Sequence, residues 1–251
     1  MPIIDAEHYA RLAAKMDAIG RFSGCLAHDF NNILSGVLGY ASYIKMKLDP
    51  SDRMYGDLGM IEQSGARAVE LTGKLMSFAP GRCSAKDRVA ISQAIRTVVE
   101  KVKPALPAGI EFKVEAPQDL PLFAGDMVQV IQMIHNIVLN ALEAMTGCTG
   151  VIRIQAECRA LTDAENKLMI RVKQTPCLCL TITDQGKGMN LDTQLHLFEP
   201  FFTTKNPRKG AGLGLAVVYG IVAIHQGDIT FESQEGKGST FRIYLPPVKP
   251  T

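Results

Sequence analysis

Apolar residues recur at steps of three and four through Ile19, Phe22, Leu26, Phe30, Ile33, Val37, Tyr40, Ile44 and Leu48. A seam sustained at the helical period predicts a helix far longer than the usual globular one. The polar stretch DPSDR, residues 49–53, breaks it. A second seam through Met54, Leu58, Ile61, Ala68, Leu75 and Phe78 runs on to a stop at Pro80-Gly81. Two helices joined this way predict an antiparallel hairpin. It cannot bury both seams alone, so a partner hairpin is expected, giving a dimeric four-helix bundle. An intrachain packing surface is the alternative use of the same seams.

From about Lys86 the pattern changes. Short β-like runs occur at DRVAI, IEFKVEA, VIRIQAE, CLCLTIT, DITFES and STFRIYLP, and helical runs are predicted over 92–106, 126–145 and 213–225. Strands and helices that do not strictly alternate predict an α+β sandwich, a mixed sheet with helices on one face. The polar segment 159–176 reads as an irregular excursion between strands. The expected organisation is therefore two domains: a helical hairpin over 1–82 and a mixed-sheet α/β sandwich over 83–251.

Composition adds bounds. The 251 residues are 47% apolar, enough for one or two packed domains rather than a disordered chain. A net charge of +2 leaves no electrostatic footprint for a nucleic acid. No apolar run approaches the roughly 18 residues that span a bilayer. The opening MPIIDAEHYARLAAK carries early charges and lacks the apolar centre of a signal peptide. A cytoplasmic location with no membrane segment is the expectation. Cys25, Cys83, Cys148, Cys158, Cys177 and Cys179 form no Cys-x-x-Cys pair, so reduced thiols are expected rather than a zinc site.

The chemistry-bearing residues begin with GCLAHDFNNIL in the first helix. At 100° per residue, His28 is predicted to point away from Leu26, Phe30 and Ile33. Gly24, Asn32, Ser35 and Gly39 on that flank are small or polar and leave room for a large partner. A neutral imidazole is a competent nucleophile near neutral pH. Asp29 can accept a hydrogen bond from the ring or through water and keep one nitrogen free to attack. Asn32, one turn on, reaches the same centre. A lone histidine on a helix surface is ordinarily just solvated, so the weight comes from its neighbours.

Four further segments follow in order. HNIVLNALEAM lies on the helix over 126–145, with Asp126 as its expected N-cap. Asn136 and Asn140 share one face there, opposite an apolar side, and offer the oxygen donors that Mg²⁺ prefers. DQGKGM follows the strand CLCLTIT. A carboxylate at that strand end, Asp184, can accept from an adenine amino group, and Gly186 and Gly188 let the backbone pass close to a base. LFEPFFTTK supplies an aromatic run for a mobile lid and Lys205 for a phosphate. KGAGLGLAVVYGIV places Gly210, Gly212 and Gly214 before a helix whose first amides suit a polyphosphate. GAGLG is neither a P-loop, since no Gly-Lys-Ser/Thr follows, nor a dinucleotide fingerprint. GKGSTFRIYLP closes the chain with another glycine turn and a strand. Each segment alone is weak; the ordered set is far more specific.

The segment HDFNN, preceded by KMDAIGRFSG, resembles the phosphoacceptor box of protein histidine kinases, in the HDxNN variety. The later segments resemble the asparagine, glycine and phenylalanine boxes of the histidine-kinase catalytic domain, within the gyrase/Hsp90/MutL-like ATPase superfamily. The resemblance runs from about Lys15 to Pro246. It implies autophosphorylation of His28 from Mg-ATP, with Asp29 assisting. It implies transfer to a response-regulator receiver domain and dephosphorylation of that receiver by water positioned at Asn32. It also implies Asn140, and Asn136 beside it, at the Mg²⁺–phosphate group, and Asp184, Gly186, Gly188 and Met189 around adenine. Lys205, Gly210, Gly212, Leu213 and Gly214 would line the phosphates and lid, and residues 1–80 would hold a homodimer. Cys25 stands where many relatives have glycine, and Ala211 where they carry Thr or Ser. Related ATPases place a catalytic Glu where Asn136 stands. An amide cannot take a proton from water, which favours a protein nucleophile over hydrolysis. A docking dimer with no working nucleotide site is the reading from another class, and the intact glycine segments argue against it.

Overall fold

The computed structural model describes residues 6–76, 87–173, 175–204 and 212–248. Helix α1 (Ala6–Lys45) begins well before Ile19, and α2 (Arg53–Met76) returns beside it. The turn between them is built by aspartates. The Asp49 carboxylate accepts from the amide and hydroxyl of Ser51 at 2.9 and 2.6 Å, and Asp52 accepts from the Met54 amide at 2.8 Å. Three contacts set the antiparallel register. Lys45 Nζ meets Glu62 Oε2 at 2.6 Å, Leu38 lies on Gly65, and Thr72 Oγ1 donates to Asn31 Oδ1 at 2.6 Å.

This register shifts the expected packing by one residue. The hairpin closes on Asn31, Leu38 and Lys45, whereas the seam read from the sequence stays outside. Ile33 is 62% and Tyr40 74% exposed, with Phe30, Val37 and Ile44 also on the surface. The small Gly65 explains the choice: a Cβ there would lie within 2.5 Å of Leu38, so α2 approaches α1 where it has no side chain. Phe22, Leu26, Leu75, Phe78 and the stop at Pro80-Gly81 lie outside the described side chains.

The chain clusters into two compact units, Lys15–Pro80 and Met1–Ala14 with Gly81–Thr251. The first turns of α1 thus belong with the second unit, although the sequence division at 82/83 put them with the hairpin. The second unit runs β1 (Asp87–Val89), α3 (Ile91–Val102), β2 (Ile110–Glu115), β3 (Phe123–Gly125), α4 (Met127–Ala144), β4 (Gly150–Arg159) and α5 (Asp163–Leu168). It continues with β5 (Cys177–Thr183), α6 (Leu191–His196), α7 (Gly214–Ile224), β6 (Asp228–Gln234) and β7 (Gly238–Leu245). Five strands form one mixed sheet in the order β2-β4-β5-β7-β6, parallel between β2 and β4 and antiparallel elsewhere. β1 and β3 make a separate two-stranded ribbon. α3 stops at Val102, before Pro104, and the next three residues tighten into a 3₁₀ turn. Among the described residues no helix is long and apolar enough to cross a membrane.

Helices α3, α4 and α7 pack together over one face of the sheet. β5 is apolar on both faces: Leu178, Leu180 and Ile182 point one way, Cys177 and Cys179 the other, and all five are buried. The excursion after β4 covers the second face. Met169 and Val172 close over Cys177, Cys179 and Tyr244. A capping box of Thr162 and Glu165 starts α5. Arg159 grips Glu165 with two bonds of 2.8 and 2.7 Å, and the Tyr244 hydroxyl donates to the same carboxylate at 2.8 Å. At the far end the Asp228 carboxylate collects the amides of Ile170, Arg171 and Val172 at 3.1, 2.9 and 2.7 Å.

His225 ties the helices to the ribbon. Buried at the end of α7, it bonds through Nδ1 to the Ile221 carbonyl at 2.7 Å, and its Nε2 accepts the Asp126 amide at 3.0 Å. That pattern fixes the neutral tautomer. Burial pushes the pKa below the usual 6.5, so this contribution to folding is present above pH 6.5 and is lost as pH falls below it. The Arg159 hydrogen bonds hold Glu165 well below the usual 4.5, so its contribution is full above pH 4.5 and is lost at lower pH. Glu165→Gln should cost about 2 kcal/mol at pH 7, through loss of a charge-assisted pair. Thermal unfolding checks it: a midpoint lowered by about 4–8 °C is expected, and the deficit should shrink below pH 4.

Candidate functional site

The end of β5 is a point of close backbone approach. Asp184 pairs with Ser239 through its own amide at 2.9 Å. The residue is only 4% exposed, and its side chain accepts the amides of Gly186 at 2.8 Å and Ser239 at 3.3 Å. Both bonds land on Oδ1; among the described residues nothing donates to Oδ2. Burial raises the carboxyl pKa above the usual 3.8, and the two amides oppose that rise. An acceptor oxygen left open on a buried residue in this way fits an exocyclic amino donor.

Gly186 has no room for a side chain, since a Cβ would lie 2.6 Å from the Ala144 carbonyl at the end of α4. Gly188 holds φ at +63° with the Gln234 backbone against it. The Lys187 amide reaches the Ala144 carbonyl at 3.1 Å, and the Gly236 amide reaches Lys187 at 2.7 Å. Met189 is held by residues that no sequence segment singled out. Its amide donates to Ser233 Oγ at 2.9 Å, and buried Gln194 donates to its carbonyl at 2.7 Å.

Asp126 caps α4 as expected, accepting from Val128 and Gln129 at 2.8 and 3.2 Å. Asn136 and Asn140 are half-buried on α4 and face the start of α7. Asn136 Nδ2 donates to the Gly214 carbonyl at 3.2 Å, which leaves Oδ1 as an acceptor. Leu213 is buried at the N-cap of α7 and supplies no side-chain cap to its first amides. Gly212, at φ +65°, sits against the Phe201 and Phe202 backbone, where a Cβ would lie 2.6 Å from the Phe201 carbonyl carbon. Lys205 and Gly210 lie outside the described residues. Asp184, Gly186, Gly188 and Met189 therefore come together at one turn, and Asn136, Asn140, Leu213 and Gly214 at the α4–α7 contact. In the helical unit Asp29 and Asn32 are exposed on α1; the side chain of His28 lies outside the described set.

This arrangement defines a class. Residues 125–249 match the family of histidine kinase-, DNA gyrase B- and HSP90-like ATPases. Over nearly its whole length the chain is also similar to sensor kinases. It is 30% identical over 240 residues to sensor kinase CckA of Brucella abortus (strain 2308), covering 96% of this chain and 25% of that protein. It is 30% identical over 233 residues to sensor histidine kinase ZraS of Escherichia coli (strain K12), covering 92% of this chain and 46% of that one. The catalytic domain of histidine kinase ThkA has a TM-score of 0.51 at 26% identity and covers 64% of this chain and 97% of its own. Full-length ShkA in complex with AMPPNP has a TM-score of 0.64 at 24% identity, covering 92% of this chain and 46% of that one, which is a likeness of fold. The chain spans from a quarter to about half the length of these curated relatives and is a homologue of ATP-dependent histidine kinases.

Because folding raises the Asp184 pKa, the ionised carboxylate opposes folding at neutral pH. Asp184→Asn should therefore leave the thermal midpoint of the ligand-free protein unchanged or raised, while weakening ATP binding at least tenfold. A lowered midpoint with unchanged ATP affinity would make Asp184 a turn-stabilising residue only.

Proposed function

We propose that the chain is an ATP-dependent protein histidine kinase of a two-component system, with a phosphoacceptor part over 1–82 and a catalytic part over 83–251. The observation that carries this reading is the Asp184 carboxylate, buried with one open oxygen beside a turn too tight for any residue but glycine. Such an acceptor selects the amino edge of adenine. The uncapped start of α7 supplies amides for the phosphates, with Gly210, Gly212, Leu213 and Gly214 around them and Lys205 on the lid. Asn140, and Asn136 through its open Oδ1, are the donors that would hold Mg²⁺, an ion that neutralises phosphate charge when bound.

The transfer is proposed to run as follows. One nitrogen of neutral His28 attacks the γ-phosphorus, the bond from that phosphorus to the β–γ bridging oxygen breaks, and ADP leaves. Asp29 accepts the hydrogen bond of the other ring nitrogen and steadies the charge that develops there. The phosphoryl group then passes to an aspartate of a response-regulator receiver domain. Asn32, exposed on the same helix, orients a water for the reverse task of dephosphorylating that receiver. The exposed stripe from Phe30 to Ile44 supports the expectation of a homodimer through residues 1–80, because it is the apolar surface the hairpin itself leaves unburied.

One preparation tests both parts. With γ-labelled ATP the chain should take up acid-labile, base-stable label, and His28→Ala should remove all of it. Light scattering on the same sample should give twice the mass of one chain, and Ile33→Glu should halve it. Label that persists in His28→Ala would end the assignment; a dimer that survives Ile33→Glu would move the interface elsewhere.

A further inference from the structure

Helix α6 is packed the wrong way round for its composition. Its one buried residue is Gln194, 6% exposed, whereas Leu191 and Leu195 are 47% and 38% exposed. A surface helix ordinarily buries its leucines and leaves an amide in water, and burying an amide is costly unless it is paired. A local conflict of this kind points to a task other than packing. The pairing shows which. Gln194 Nε2 donates to the Met189 carbonyl at 2.7 Å and to the Ser233 carbonyl, on the edge strand β6, at 3.2 Å. The Ser233 hydroxyl accepts the Met189 amide at 2.9 Å, donates to the Gly238 carbonyl at 3.1 Å and lies 3.0 Å from the Ser239 hydroxyl. Ser239 in turn engages Asp184, donating its amide to the carboxylate and accepting the Asp184 amide at its carbonyl. The peptide groups on both sides of Met189 are thus gripped, and both grips meet at Ser233, on the frame that fixes Asp184.

We propose that Gln194 and Ser233 form a two-point clamp on Met189 and are positioning residues for the nucleobase: they fix how far Met189 stands from the Asp184 carboxylate, and so how closely an adenine ring fits beside both. This rests on the reading of residues 184–189 as the adenine turn. A hydrogen bond from the adenine amino group to Asp184 Oδ2 weakens steeply when the ring is displaced or tilted. The Met189 side chain is unbranched and adapts to what it packs against, so the place of its backbone decides where that wall of the site stands. An apolar residue at 194 would pack well enough, but it would leave two carbonyls without a donor and Met189 held from one side only.

Two arms on the full chain test the proposal. Gln194→Met keeps the length of the side chain and removes both donors; Ser233→Ala removes a single hydroxyl. In calorimetric titration with Mg-ATP, each variant should raise Kd about tenfold at unchanged stoichiometry, the effect of one lost hydrogen bond. In autophosphorylation, KM for ATP should rise by about the same factor with kcat within about twofold, the signature of a binding contact. Structural damage alone would lower the stoichiometry and kcat and leave KM where it was. The double variant should be at most about threefold weaker than the weaker single one, because both act through one residue. An ATP Kd within about twofold of wild type in either folded single variant overturns the clamp, and so do losses that multiply in the double variant. Where Gln194→Met does not fold, Ser233→Ala decides by the same Kd criterion. A wild type that binds ATP and takes no label defeats the kinase reading instead, and the calorimetric arm then decides by itself; a wild type that binds no ATP defeats the adenine reading and the clamp with it.

Discussion

The packing of three backbone segments around residues 184–189 is the constraint on which the nucleotide-binding unit depends. The end of β5 runs against the first residues of β7 on one side and the last turn of α4 on the other. Gly186, Gly188 and Gly238 are the places where any side chain would strike backbone. Because the chain is so close, the Asp184 carboxylate is buried and turned onto two amides, and its second oxygen is left open. The same packing ties the end of α4 to the turn, and α4 in turn carries Asn136 and Asn140 to the start of α7. Base, metal and phosphate contacts, as proposed, are therefore not independent: all are placed by the way α4 crosses this part of the sheet.

In the helical unit the determining feature is where α2 can come closest. Gly65 draws Leu38 inward and sets a register in which polar and ionic contacts, Asn31 with Thr72 and Lys45 with Glu62, line the hairpin. Phe30, Ile33, Val37, Tyr40 and Ile44 of α1 are left on the outer surface. A hairpin that leaves such an apolar stripe on its face is incomplete as a folded object, which supports the expectation that a second copy completes it.

Much of this was legible beforehand, and the reasons are local. The strands from β4 onward announce themselves by apolar alternation, and Asp126 by its place before an apolar helix. CLCLTIT reads as a β-like run, and the structure shows why it is so apolar: both of its faces are buried. What escaped were features whose signal is short or tertiary. β3 has three residues and exists by pairing with β1 and by a bridge from Phe123 to Pro247. α5 hides in a polar stretch, though its Thr162 and Glu165 capping box was readable in principle, and what fixes it is Arg159, six positions before Glu165, and Tyr244 from the distant strand β7. The seam of α1 was read correctly as apolar, but periodicity alone cannot say which of two adjacent stripes the partner helix takes. Ser233 and Gln194, which hold Met189, carry no local pattern at all. The burial of Tyr9 against β6 likewise joins residues more than two hundred positions apart.

The central claim is that the open oxygen of Asp184 reads the amino edge of adenine. Guanine presents a carbonyl oxygen at the corresponding position, so two acceptors would face each other and one would stay unpaired on burial, a mismatch worth several kcal/mol when water is excluded. Calorimetric titration of the wild-type chain with ATP and GTP, in the presence of Mg²⁺, measures this directly. The account predicts ATP binding at least a hundredfold tighter than GTP; equal affinities in the folded protein would contradict it.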